Sequence, residues 1–446
     1  MKRSHCLMLA ASLIITTLSA SAGDVKGWRL SYKSGYQDDQ GRYAGGSEIM
    51  HLVPHKGRLY AFNGYWTDEN YGKQSAQVLR LDKPNALWQV DLETKSVGYN
   101  HMKGNILKSV TFKTDKNGKK INETLLVAAS RGRAVSVFVR DDVTGKWSHS
   151  MHMQGGHGRL VPRDCEVFTD RVTGVDRIFL LVGDPGILSG VYNSETKSIE
   201  WDARKEHPKD DSSFPARPLG ITEANGRLYF SVAGKIFVRN NGLEPTWSLA
   251  YSIPGNVNTD VGGIRGLSTI KNPVGPGESI IFVWTPKGRC AGEIKRLDGP
   301  ELMPAKDETS LRALFNKAMT EEKATAIFSL GGYNRFFPFK DPRSGKTAHI
   351  VGYEQRIRGP QELIWNHYYA GACYSVRTAP EEYEPHEVNG KWNPDKLILV
   401  APRAFAHSPF KGEEDVIYFG GHDANGNRST DMAWIYKADT ATIVGR

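Results

Sequence analysis

Weak internal repetition and short, evenly spaced apolar runs predict an all-β chain: a seven-bladed β-propeller with a short helical insertion between blades five and six. The first observation is an echo. His55-Lys56-Gly57-Arg58-Leu59-Tyr60-Ala61-Phe62-Asn63-Gly64 returns as Ala224-Asn225-Gly226-Arg227-Leu228-Tyr229-Phe230-Ser231, each a strand, a glycine turn and a second strand. The stretch ending Leu79-Arg80-Leu81-Asp82 is matched by Lys295-Arg296-Leu297-Asp298. The second observation is period-two runs of Val, Ile, Leu, Phe, Tyr and Trp separated by Gly, Asn, Asp and Pro. The third is the scarcity of helical periodicity, which is clear at Leu311–Met319 and otherwise allowed only at Glu321–Phe328.

The remaining chain divides into units of about four strands. The first runs from Ile49 to Leu92, the second from Ile106 to Ser148, the third from Glu166 to Trp201 and the fourth from Gly220 to Ser252. The fifth spans Leu267 to Asp298 and precedes the helical insertion. The sixth covers Phe336 to Val388 and the seventh Ala404 to Tyr436, with six or eight units as the neighbouring counts.

Residues 1–22 read as a secretory signal. Lys2 and Arg3 precede an apolar run from Leu7 to Leu18, and Ala20-Ser21-Ala22 supplies small residues for cleavage. The run is too short to span a membrane, and no other segment approaches the roughly 20 apolar residues required. The expectation is a secreted or periplasmic, monomeric protein whose residues 23–446 form one domain without a linker. Cys165, Cys290 and Cys373 lie beyond the signal, an odd number that leaves a thiol unpaired or points to a metal site.

The net charge is +9 at neutral pH. A basic exported protein suits an anionic partner. Lys and Arg form no long run, which argues against a nucleic-acid-binding tail.

A propeller concentrates its functional groups at one mouth of its channel, where inner strands begin and second-to-third-strand loops return. In unit order, the residues before the inner strands are Glu48, His101, His157 with Arg159 and Arg163, Arg217, Arg265, Tyr333-Asn334-Arg335, and Arg403 with His407. The returning loops add Asn63, Tyr65, Trp66, Arg131, Asp184, Lys287, Glu354 and His422. This face is dense in Arg, His and Tyr. Neighbouring arginines offer fork-shaped, always-charged donors for carboxylate and sulfate. His149, His152 and His157 crowd one stretch, of which His157, flanked by Gly156 and Gly158, is the best placed as a base.

Cys290 and Cys373 occupy similar points of units five and six. They could be a disulfide, free thiols, or, with His422 or His367, a structural zinc site. Asp423 to Asp431 faintly resembles a calcium loop but lacks its terminal Glu. There is no GxSxG elbow, HExxH or P-loop, and nothing calls for an organic cofactor.

These residues suit β-elimination on an acidic polysaccharide. A cation neutralises the uronate carboxylate, a base removes the adjacent proton, and an acid protonates the departing glycosidic oxygen. Hydrolysis would instead ask for two carboxylates flanking the bond, in which this face is poor. The candidate bases are His157 and His101, the candidate acids Tyr65, Tyr192 and Tyr333, and the neutralisers Arg217 and Arg265. Arg159, Arg163, Asn63, Trp66, Arg335 and His422 are candidate substrate contacts. A lectin-like propeller that holds an anionic glycan without turning it over is the alternative.

In overall plan, and in the stretches Tyr43-Ala44-Gly45-Gly46-Ser47-Glu48-Ile49-Met50-His51 and Gly155-Gly156-His157-Gly158-Arg159, the chain resembles the propeller-type ulvan lyases. The resemblance implies cleavage of a sulfated polysaccharide between rhamnose 3-sulfate and a uronic acid. It also implies a His and a Tyr as base and acid, an Arg as neutraliser, and a structural metal, with Zn2+ and Ca2+ as the candidates.

Overall fold

The computed structural model describes residues 27–445 except 66–74, 98–101, 132–133, 155–160, 184–185, 209–216, 255–261, 287–290, 305–306, 389–396 and 423–430. The chain is an all-β propeller. Among the described residues its ladders divide into seven successive antiparallel units, several of them joined in the larger sheets. The first comprises Glu48–His55, Arg58–Gly64, Gln77–Leu81 and Gln89–Glu93, and the second runs from Lys103–Thr114 to Trp147–Gln154. The third and fourth are the four-stranded sheets that begin at Pro162–Thr169 and Pro218–Ala224. The fifth begins at Gly263–Lys271, and the sixth is built on Phe337–Lys340, Thr347–Arg358, Cys373–Ala379 and Glu382–Glu387.

The seventh unit is closed by the opposite end of the chain. Arg29–Lys33 pairs antiparallel with Trp434–Asp439 as its outer strand, outside Val416–His422 and Ala401–His407. Ring closure is thus made by backbone hydrogen bonds between the two termini. The sequence predicts the end of this unit at Tyr436 and gives Arg29–Lys33 no place in it.

Period-two side-chain alternation explains how the units pack. In Arg58–Gly64, Leu59 and Ala61 face the seventh unit, whereas Tyr60 and Phe62 face the second. In Asp176–Val182, Ile178, Leu180 and Val182 face the second unit, whereas Phe179 and Leu181 face the fourth. Each pair of neighbouring units encloses its own apolar cluster, including the pair formed by the last and first units. Both faces of the middle strands are buried, which is why their sequences read as nearly continuous apolar runs.

The expected helix forms as Leu311–Ala318, capped by Ser310 and burying Leu311 and Phe315 one turn apart. The second helical candidate is overturned, because Thr325–Gly331 is a strand. The long Thr347–Arg358 strand explains this. Its first half pairs with Phe337–Lys340, and its second half takes Thr325–Gly331 as partner. Among the described residues no helix is long and apolar enough to cross a membrane.

Trp28 and Tyr32 enter the clusters on either side of the seventh unit, so the closing strand contributes packing as well as hydrogen bonds. A chain starting at Ser34 should be less stable than one starting at Gly23 by at least about 3 kcal/mol, the usual cost of deleting one large buried aromatic. Denaturant unfolding checks this, and equal midpoints would contradict closure by Arg29–Lys33.

Candidate functional site

All inner strands run the same way along the channel, so their first residues converge at one end. Glu48, Lys103, Arg163, Arg217, Arg265, Tyr333 and Arg403 stand within four residues of these strand starts, one from each unit. They surround or lie directly behind a cavity of about 380 Å³. Lys103, Arg131, Arg163, Arg217, Arg265 and Arg403 all line it, against one lining carboxylate among the described residues, Glu354.

Burial makes this charge arrangement consequential, because desolvated like charges raise one another's cost. Burial and the neighbouring Arg217, Arg265 and Arg131 all push the Arg163 guanidinium below the ordinary arginine range. Burial, reinforced by Arg217, brings Arg265 down to about 9, which leaves it protonated at neutral pH. An arc of guanidinium groups on units two to five therefore favours an anionic ligand.

The opposite side of the cavity is balanced by carboxylates. Glu48 is fully buried, and its Oε1 lies 2.5 Å from Lys103 Nζ. Arg403 Nη1 donates to Glu48 Oε2 at 2.7 Å, and His422 Nδ1 lies 3.2 Å from the same oxygen. The other nitrogen of His422 is 3.4 Å from Glu354 Oε2. Burial alone would raise the Glu48 carboxyl, but Lys103 and Arg403 hold it well below the usual carboxylate range.

Tyr333 sits between these two sides. The Arg403 guanidinium lies 4.1 Å from its ring centre, the Arg265 guanidinium 5.9 Å, and the His422 ring 6.3 Å. Burial, followed by the Glu354 charge, raises the phenol well above its ordinary value, although Arg403 and Arg265 oppose them. Tyr333 therefore keeps its proton at neutral pH, the state required of a proton donor.

A second cavity of about 680 Å³ continues along the channel and shares the walls Tyr333, Asn334, His51, Arg163 and Leu219 with the first. Within it Arg335 reaches across to Glu166 and donates to the Ile221 carbonyl at 2.5 Å. Lys108 Nζ donates to the same Glu166 carboxylate at 3.1 Å.

The cationic cavity thus brings together Tyr333, Arg217, Arg265 and Arg163 of the expected residues. Others are corrected. Tyr192 is buried between units two and three, its ring stacked on Phe112 at 5.4 Å, because its outward-alternating position belongs to an inter-unit core. Tyr65 is buried with its hydroxyl beside Gly45 and does not line the cavity. Asn63 is fully buried and serves the backbone, donating to the Gly45 carbonyl and accepting from the Gln77 amide. Arg335 lies in the second cavity with its guanidinium engaged by Glu166, so it is a brace and not a contact of the first cavity. His422 is buried behind the wall between Glu48 and Glu354, which removes it from direct substrate contact. His407 ends the inner strand of the seventh unit at the far end from Arg403, bonded to the Pro338 carbonyl. His157, His101, Arg159, Trp66, Cys290, Asp184 and Lys287 lie outside the described residues.

Of the residues expected to hold a metal, Cys290 lies outside the described residues. Cys373 is a buried free thiol within the apolar cluster between units five and six, and burial pushes it well above its ordinary pKa. Cys165 is likewise free and buried. No group of three His, Cys, Asp or Glu able to hold a metal ion occurs among the described residues.

Lys103 was not foreseen as a cavity residue. Its signal was present but displaced: the inner strand begins at Lys103, not Ile106, and His101 was read as the mouth position of that unit. His51 and Asn105, joined by an imidazole–carbonyl contact of 2.6 Å, also line the cavity and were missed as alternating inner-strand positions.

No family model matches the chain, and no curated protein matches it. Solved structures overlap it weakly. RRP9 WD40 repeats align at 9% identity with TM-score 0.47, covering 94% of this chain and 99% of that one. U3-55K aligns at 9% identity with TM-score 0.46, covering 93% and 99%. A Bacteroides uniformis protein provisionally described as a 6-phosphogluconolactonase aligns at 12% identity with TM-score 0.41, covering 76% and 88%. These likenesses carry nothing about chemistry.

Glu48 gives the site a pH signature. Its carboxyl is lowered on folding, so its stabilising contribution is complete above the unfolded value of about 4.3 and is lost as pH falls below it. Glu48→Gln should cost about 3–5 kcal/mol at neutral pH by leaving Lys103 and Arg403 without their carboxylate. The gap to the unsubstituted protein should narrow as pH drops from about 5 towards 2. Denaturant midpoints across that range check both statements, and a gap independent of pH would contradict them.

Proposed function

We propose that the protein is an exported polysaccharide lyase of the ulvan-lyase type, acting by β-elimination at a uronic acid. The carrying observation is the meeting, in one cavity, of Tyr333 with a surplus of guanidinium groups. Arg217 and Arg265 neutralise the uronate carboxylate, which acidifies the neighbouring C5 proton and stabilises the charge that develops when it leaves. His157 or His101 takes that proton. Tyr333 gives its own proton to the glycosidic oxygen at C4, the C4–O bond breaks, and a 4,5-unsaturated uronate remains. Lys103, Glu48 and Arg403 hold the wall behind Tyr333, and no step is routed through a metal or an organic cofactor. The net positive charge of the chain supports an anionic polymer as substrate.

The test is ultraviolet absorbance of the unsaturated uronate during incubation with a panel of acidic polysaccharides that includes ulvan. Absorbance should rise with a uronate polymer. Tyr333→Phe should lower kcat by about 10²–10⁴-fold, the usual contribution of a positioned proton donor. Arg265→Ala should lower kcat/KM in the same assay. Salt-sensitive retention on these polymers with no absorbance change on any of them would leave a glycan-binding propeller in place of the enzyme.

A further inference from the structure

The segment that carries Tyr333 is pinned across the channel by residues that the chemistry above does not use. Asn334 Nδ2 donates to the Met50 carbonyl of the first unit at 2.9 Å and to the Arg403 carbonyl of the seventh at 2.5 Å. Arg335 reaches the opposite wall, bonding Glu166 of the third unit and the Ile221 carbonyl of the fourth. The Phe336 amide donates to Ser268 Oγ of the fifth unit at 2.8 Å. The fifth unit also yields space. A Cβ on Gly266 would lie 2.7 Å from the Asn334 carbonyl oxygen, and Gly266 has φ +61°, so this close approach needs glycine.

Three consecutive residues after Tyr333 are therefore tied to five other units, while the Tyr333 ring lies under Arg403. Such anchoring exceeds what is needed to begin a four-residue inner strand at Phe337. Neither side-chain anchor belongs to the segment's own sheet, so their effect is to fix where the segment crosses the channel. We propose that Asn334 and Arg335 are positioning residues that hold Tyr333 in the cationic cavity, and that the Arg335–Glu166 bridge sets its distance from the arginine arc.

The kinetic consequence rests on the lyase reading, but the placement of Tyr333 does not. The experiment therefore has two readouts on purified Arg335→Ala, Arg335→Lys and Asn334→Ala proteins. The first is tetranitromethane nitration of Tyr333, located by peptide mass. Release from the Arg403 and Arg265 wall should expose the ring and raise Tyr333 nitration several-fold in Arg335→Ala and Asn334→Ala. Nitration of the core tyrosines Tyr229 and Tyr374 should stay unchanged, and Arg335→Lys should return Tyr333 towards the original level.

The second readout is elimination kinetics. Displacement of a reacting group by about 1 Å costs about 10²-fold, so kcat should fall by that factor with KM nearly constant, and Arg335→Lys should recover most of the loss. Unchanged Tyr333 nitration in both alanine variants overturns the proposal. So does a fall in kcat that tracks only loss of folded protein and is not rescued by lysine. If the unsubstituted protein shows no elimination, the lyase reading fails while nitration still decides the positioning. If Arg335→Ala does not fold, Asn334→Ala, which removes only two bonds to backbone carbonyls, decides in the same way.

Discussion

The controlling constraint is that each sheet is buried on both faces by its neighbours. Side chains of the middle strands alternate between two apolar clusters, as Tyr60 and Phe62 do against Leu59 and Ala61. Charged groups buried within the units are paired, as Arg239 is with Glu206 and Asp170 and Arg377 is with Glu308. A further set gathers at the starts of the inner strands, where the sheets diverge around the channel. Seven such starts supply Glu48, Lys103, Arg163, Arg217, Arg265, Tyr333 and Arg403 to one small space. Closure by Arg29–Lys33 completes the outer edge of the seventh unit, whose inner strand sets Arg403 against Glu48.

Crowding of this kind must be balanced, and the cavity balances its two sides differently. Glu48 and Glu354 serve Lys103, Arg403 and His422 from units one and six. Around Arg163, the electrostatic neighbours that act on it are three further arginines. The first side is a prepaid framework, and the second is suited to completion by a ligand's negative charge. Tyr333 stands where the two meet, and Arg335 and Asn334 determine that it stands there.

Much of this was legible in the sequence because double burial writes a strong period-two signal. The starts and ends of the units fall within a few residues of their expected positions, and the helix at Leu311 matches its apolar spacing. Closure was not legible, because Arg29–Lys33 is short and amphipathic and acquires its meaning only from an edge formed four hundred residues later. In the site, Arg163, Arg217, Arg265 and Tyr333 were legible from their place near the starts of inner strands. Tyr192 failed because its face of the strand could not be known until Phe112 was seen beneath it. Asn63 and His422 failed because a polar residue near the mouth can equally serve backbone or buried carboxylates, which sequence does not separate. Lys103 was lost to a strand boundary set a few residues late.

The central claim is that the arginine arc receives a uronate carboxylate beside Tyr333. A crystal structure of the protein soaked with a uronate-containing oligosaccharide tests it most directly. The account predicts the carboxylate within hydrogen-bond distance of Arg217 or Arg265, with the glycosidic oxygen facing the Tyr333 hydroxyl. An oligosaccharide bound only in the second cavity or on the outer surface, with the arginine arc untouched, would contradict it.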